Sequence, residues 1–194
     1  AWPEGCDESF IRNFAKGLEW DQADFGIGLL GGDTVRTPGP LTLSLTAIGE
    51  VPSGKALRRK GAEEGDLLYV SGTLGDSALG LELLMGRIGG VSDEDQAFLK
   101  QRYHLPEPRL SLGYLLRDHA SACLDISDGL LADAGHIGRQ SSVSLVIEQE
   151  RLPLSPAARS LVNRHEKHWQ KIVGGGDDYE LAFTIPPHKV KDFL

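Results

Sequence analysis

The 194-residue sequence predicts a mixed helix-and-sheet fold, α/β or α+β, on three observations. Short apolar or alternating runs with strand character recur along its whole length. Longer stretches with apolar residues at helical spacing lie between them. Glycine- and proline-rich turns separate the two kinds of segment, with no internal repeat and no low-complexity tract.

The elements follow in order. Asp7 to about Asp24 places Phe10, Ile11, Phe14 and Leu18 near helical spacing, with Asp7 or Ser9 as cap. Gly26–Leu30 is a short apolar run that fits a buried strand, and Gly31–Pro40 is a turn-rich loop. Leu41–Val51 alternates apolar and polar residues and is the clearest strand pattern. Residues 52–65 are basic and turn-like, and the domain junction is expected there: residues 1–54 in one domain, 55–194 in the next. Asp66–Ser71 reads as a strand. Leu74–Met85, Asp93–Tyr103 and Arg109–Ala120 read as helices, the last two separated by Pro106 and Pro108. Ala122–Ile126 is a strand that runs into Ser127-Asp128-Gly129, and Leu130–Arg139 is helical. Val143–Ile147 and Tyr179–Ile185 are strands, with a proline-initiated helix over Ser155–Arg164.

Composition narrows the function. Hydrophobic residues are 40% and charged residues 25%, and the net charge is −8. A nucleic-acid surface needs a basic stripe, and an anionic membrane needs basic residues, so both partners are excluded. No apolar run has the length of a membrane span. Cys6 and Cys123 lack CxxC spacing, which reads as two free thiols in a reducing cytoplasm and no zinc site. The chain opens on Ala1-Trp2-Pro3 without methionine and closes on Lys191-Asp192-Phe193-Leu194, and the expectation is an internal piece.

Two glycine loops imitate nucleotide motifs. Gly26-Ile27-Gly28-Leu29-Leu30-Gly31 matches GxGxxG, but it follows a helical segment, and the residues after it cannot open a long helix as a dinucleotide site requires. Gly49–Ala56 nearly spells a P-loop. There Ala56 replaces the magnesium-binding hydroxyl, Pro52 removes an N–H and Glu50 adds negative charge, so the P-loop is rejected.

Three segments share one form, an apolar strand ending in glycine or serine and aspartate: residues 29–34, 124–129 and 172–180. Magnesium takes one or two carboxylates with waters and phosphate oxygens, and glycine lets backbone approach a phosphate. Alternation puts Asp125 and Ser127 on one face, and a carboxylate inside an apolar strand is costly without a partner. Each aspartate also has an ordinary reading: Asp33 as a turn residue, Asp128 as the cap of the following helix, Asp177 and Asp178 as turn residues. Glu180 fits a solvated strand face, and His136 a packed histidine. No GxSxG or reactive-cysteine pattern supports nucleophilic catalysis.

In order and spacing, Leu29–Thr34, Leu43–Pro52, Ala56–Ala62, Gly65–Ala78, Asp125–Leu130 and Gly175–Leu181 resemble the thiamine-monophosphate kinase family. The Gly-Thr-Leu-Gly-Asp-Ser and Asp-Ile-Ser-Asp-Gly-Leu pieces are the more specific within a superfamily that includes aminoimidazole ribonucleotide synthetase and selenophosphate synthetase. The resemblance implies a two-lobed fold of the aminoimidazole ribonucleotide synthetase type, with residues 1–54 ending the N-terminal lobe and 55–194 forming most of the C-terminal lobe. It implies phosphorylation of thiamine monophosphate by ATP with several Mg2+ ions, in a cytoplasmic homodimer. Gly32, Asp33, Arg59 and Ser127 would contact ATP; Asp33, Asp125 and Asp128 would hold Mg2+; Asp177 would contact the substrate. The family's opening Gly-Asp-Asp segment and its aromatic C-terminal end have no counterpart here, which implies a fragment without turnover of its own. Two other readings stay open: another ATP-dependent synthetase of the superfamily, and a non-catalytic nucleotide-binding or dimerisation module.

Overall fold

A computed structural model describes all 194 residues, and the chain divides into two compact units, Ala1–Glu50 and Val51–Leu194.

In the first unit, Glu8–Phe25 forms helix α1. The Asp7 side chain accepts the Phe10 N–H at 2.7 Å, and Gly26 ends the helix in the left-handed region at φ 63°. Strand β1 (Trp2–Pro3) pairs in parallel with β2 (Arg36–Thr37). Trp2 meets Phe10 and Phe14 edge-on at 5.8 and 5.3 Å.

Two strand expectations fail in this unit. Gly26–Leu30 is not a strand: Gly26 donates to the Gln22 carbonyl as helix cap, the Gln22 side chain takes the Leu29 N–H at 2.9 Å, and Leu30 is 87% exposed. Leu41–Val51 is also irregular, with Leu45 and Ile48 about four-fifths exposed. Alternation makes a segment suited to a sheet, but a strand exists only when a neighbour takes its N–H and C=O groups. Thr42 exchanges backbone bonds with Ala1, and no ladder extends from there.

The second unit is built on one antiparallel sheet in the order β3 (Leu67–Val70), β5 (Glu180–Ile185), β4 (Ala122–Ile126). Its helices are α2 (Asp76–Leu84), α3 (Asp93–His104), α4 (Leu110–His119), α5 (Leu130–Ser141), α6 (Pro156–Arg164), α7 (Trp169–Gly174) and α8 (Val190–Phe193). Each expected helix of this unit is present within two residues of its expected ends. The short α7 and α8 carry too few turns for a periodic signal.

Strand alternation divides the core. Leu68, Val70, Leu124, Ile126 and Ala182 face the larger cluster, with residues of α2, α5, α6 and α7. Tyr69, Cys123, Phe183 and Ile185 face the smaller one, with Leu116 of α4 and Phe193 of α8. Tyr69 stacks on Phe183, its direct cross-strand partner, at 5.9 Å.

A third strand expectation is corrected here. Val143, Leu145 and Ile147 pack against the larger cluster while Ser144, Val146 and Glu148 are exposed, the period of a strand. Residues 144–147 nevertheless make no backbone hydrogen bond, so the segment is extended chain and not a sheet member.

Candidate functional site

Sheet register gathers three loops at one end of the second unit. Ile126, the last residue of β4, pairs with Glu180, the first of β5, so the Ser127–Gly129 turn and the Gly174–Tyr179 loop leave side by side. Val70 pairs with Ala182, and the Ser71 N–H donates to the Leu181 carbonyl, which brings Gly72–Ser77 to the same end. The loops also touch through backbone. Asp177 N–H donates to Ser127 O at 3.0 Å and Tyr179 N–H to Ile126 O at 2.9 Å. Gly176 is required at this contact, because a Cβ there would lie 2.2 Å from Ser127 O. α2 and α5 begin here, at Gly75 and Gly129, and neither start has a side-chain cap. At α2 the distant Asp178 carboxylate takes the place of a cap, accepting the Gly75 and Ser77 N–H groups, and the start of α5 likewise favours negative charge nearby.

Aspartates line the surface at this end, beside the exposed Tyr179. Asp125 and Asp128 face solvent, and Asp177 is half-buried. Asp125 follows Cys123 on its face of the strand, beyond the smaller core, so the cost expected for a buried carboxylate does not arise. Asp128 does not cap α5: the cap position is Gly129 at φ 106°. The Tyr179 hydroxyl donates to Asp177 Oδ1 at 3.2 Å. That bond, the Asp177 charge, burial, and the charges of Asp125 and Asp128 push the Tyr179 phenol up.

Behind them, buried carboxylates fix the loops. Asp133 on α5, 3% exposed, accepts the N–H groups of Ser127 and Asp128 at 3.0 and 2.9 Å. Asp178, 1% exposed, accepts the N–H groups of Gly75 at 2.6 Å and Ser77 at 3.2 Å. Burial pushes its carboxyl up to about 6 against those two bonds. Asp76 accepts the Ser155 and Thr73 hydroxyls, and burial raises it as well. Glu180 corrects a sequence expectation. It is not on a solvated face but 0% exposed, where it accepts two bonds from Arg109, one from Arg102 at 2.8 Å and the Ser71 hydroxyl. Burial pushes its carboxyl up, and the Arg109 and Ser71 bonds with the two arginine charges outweigh that and hold it below the usual range. Sequence reading missed Asp133, Asp76, Arg102 and Arg109 altogether. The available signal was Asp133 one helical turn beyond Gly129, on the face that returns to the turn.

The remaining predicted residues belong to other segments. Gly32 and Asp33 belong to the first unit, where Asp33 is exposed and accepts the Thr34 N–H at 2.8 Å, a local turn bond. Arg59 is exposed in the segment along the outer edge of β4. Arg58 O accepts the Cys123 N–H, and Gly61 closely approaches Ser121, so the backbone at Arg59 runs toward the start of β4, away from Asp125. No three histidine, cysteine or acidic side chains converge as a ready metal cage. Asp125 and Asp128 do fit the weaker demand of hydrated magnesium, one or two carboxylates completed by water and phosphate.

No protein-family profile matches the chain. The thiamine-monophosphate kinase of Caulobacter vibrioides is 45% identical over 195 aligned positions, which cover 99% of this chain and 54% of that protein. The crystal structure of thiamine-monophosphate kinase from Stenotrophomonas maltophilia superposes with a TM-score of 0.90 at 41% identity, over 99% of this chain and 61% of that one. AaThiL, solved in complex with AMPPCP and TMP, superposes with a TM-score of 0.80 at 29% identity, over 100% of this chain and 62% of that one. The chain therefore spans a little over half the length of these relatives. Along almost all of its own length, this chain is a homologue of the thiamine-monophosphate kinases.

Proposed function

We propose that the polypeptide carrying this chain transfers the γ-phosphoryl group of ATP to thiamine monophosphate, giving thiamine diphosphate and ADP. The observation that carries this reading is likeness along the whole chain to thiamine-monophosphate kinases, one of them solved with an ATP analogue and TMP. The acidic loop end supports it chemically, because two phosphates repel and their approach needs divalent cations.

In this reading Asp125 and Asp128 hold magnesium at the sheet end, and Asp33 does so from its own loop. Gly32, Asp33, Arg59 and Ser127 contact the nucleotide, and Asp177 contacts the substrate. Bound magnesium would neutralise the phosphates. The chain's own part is positioning: Asp133 fixes the Ser127–Asp128 backbone, and the Asp177 N–H bond to Ser127 sets the substrate loop against it. A terminal oxygen of the acceptor phosphate attacks the γ-phosphorus in line, and ADP leaves. No general base is assigned, since a phosphate monoester is already largely ionised near neutral pH. Cytoplasmic residence and a homodimer belong to the same proposal; light scattering on the intact protein tests the dimer.

The deciding experiment incubates the intact polypeptide with ATP, MgCl2 and thiamine monophosphate and measures thiamine diphosphate and ADP. Equimolar formation of both is expected. Free inorganic phosphate without thiamine diphosphate would point to a synthetase, and magnesium-dependent ATP binding without turnover to a binding module.

A further inference from the structure

The loop that carries Asp177 is held in an unfavourable backbone shape. Asp177 has φ 67° and Tyr179 φ 51°, both left-handed without being glycine. Aspartate tolerates that region, whereas an aromatic residue there is a genuine outlier. Between them, the Asp178 side chain is buried in the protein. Its two oxygens accept the N–H groups of Gly75 and Ser77, at the start of α2. The outer two residues are in turn bonded through their own N–H groups to Ser127 and Ile126. Residue 178 is thus buried, while the side chains of 177 and 179 stay outside and bond each other, Tyr179 Oη donating to Asp177 Oδ1.

We infer that Asp178 is a positioning residue. By clasping the Gly75 and Ser77 amides it keeps Asp177 and Tyr179 in the left-handed conformation that presents Asp177 to the substrate. No other side chain of the loop is free to do this. Gly174, Gly175 and Gly176 have none to offer, and Glu180 is committed to Arg102, Arg109 and Ser71. The Gly72–Ser77 loop becomes the fixed base, and the 177–179 loop the part that is set by it. The inference rests on the role proposed for Asp177.

The test is a double-mutant cycle in the intact polypeptide. Asp178→Asn keeps the size but turns an amide N–H donor toward a backbone N–H. It is expected to raise KM for thiamine monophosphate tenfold or more while KM for ATP stays within twofold. Asp177→Asn should do the same, and the double variant should be no worse than Asp177→Asn alone, since both act through one contact. Additive effects, or equal rises in both KM values, or no change, overturn the inference. Asp178→Ser, which retains one acceptor, is the second variant. If neither folds by circular dichroism, Asp178 is a fold determinant and the inference fails. Should the wild type make no thiamine diphosphate, NMR still decides about the clasp. Carbon shifts of Asp177 and Tyr179 should report left-handed backbone in the wild type and lose it in Asp178→Asn, with faster exchange of the Gly75 and Ser77 amides. Unchanged shifts and exchange would refute the clasp itself.

Discussion

At the scale of single residues, exposed and buried acids do different work. The exposed pair invites the direct test. If the proposed transfer holds, Asp125→Asn and Asp128→Asn in the intact polypeptide should each lower turnover by about two or more orders of magnitude, as expected for loss of charge stabilisation. Raised MgCl2 should partly restore it; wild-type turnover would remove the ligand assignment. Among the buried acids, Glu180 joins two arginines whose side chains are only 12% and 24% exposed. Glu180→Ala strands Arg102 and leaves Arg109 only the exposed Glu107, and should destabilise the unit by about 3–5 kcal/mol in urea titrations. Asp178 has the opposite linkage to Glu180. Its folded pKa of about 6 lies above the ordinary 3.8. The native state therefore holds a proton that the unfolded chain releases, and this contribution is full below 3.8 and lost as pH rises through about 6. Denaturation of wild type and Asp178→Asn at about pH 7 and about pH 4 should show the difference shifting toward the wild type at the lower pH. Glu180, held below its usual range, contributes above its unfolded pKa and loses that contribution as pH falls through its depressed folded value.

At the scale of elements, what matters is where segments meet. The Ser127 turn and the Gly176 loop are in backbone contact, so Gly176→Ala must push them apart even though the glycine has an ordinary φ. A loss of about 1–3 kcal/mol is expected, in the range for overpacking. The expected companion in kinetics is a weakened thiamine monophosphate interaction; unchanged stability and kinetics would show that the two loops need not touch. Helix ends were legible in sequence because caps are local: Asp7 caps α1, Ser92 caps α3 and Ser155 caps α6 through their own side chains. Strands were legible only in pattern. Residues 41–51 and 143–147 alternate as well as β4 does, yet they have no ladder, and amide exchange there should be orders of magnitude faster than in β5.

At the scale of the whole molecule, the two units differ in how they are held. α1 of the first unit contains no buried residue, whereas the second encloses two hydrophobic clusters, one on each face of its sheet. Residues 51–194 expressed alone should unfold cooperatively with a Tm within a few degrees of the parent, read by circular dichroism; a broad or absent transition would show that the first unit supports it. The sequence by itself determined the mixed fold, helices α1 to α6, β3 to β5, and the family resemblance with Asp125, Asp128 and Asp177 as candidates. Those signals reside in local periodicity, capping and short motifs. Only the tertiary structure decided that Asp128 leaves the helix cap empty, that Glu180 is buried between arginines, and that Asp133 and Asp178 hold the loops. Each of these depends on partners 5 to 109 residues away in sequence. A carboxylate's surroundings, more than its position in a motif, decide whether it is a ligand, a cap or a brace.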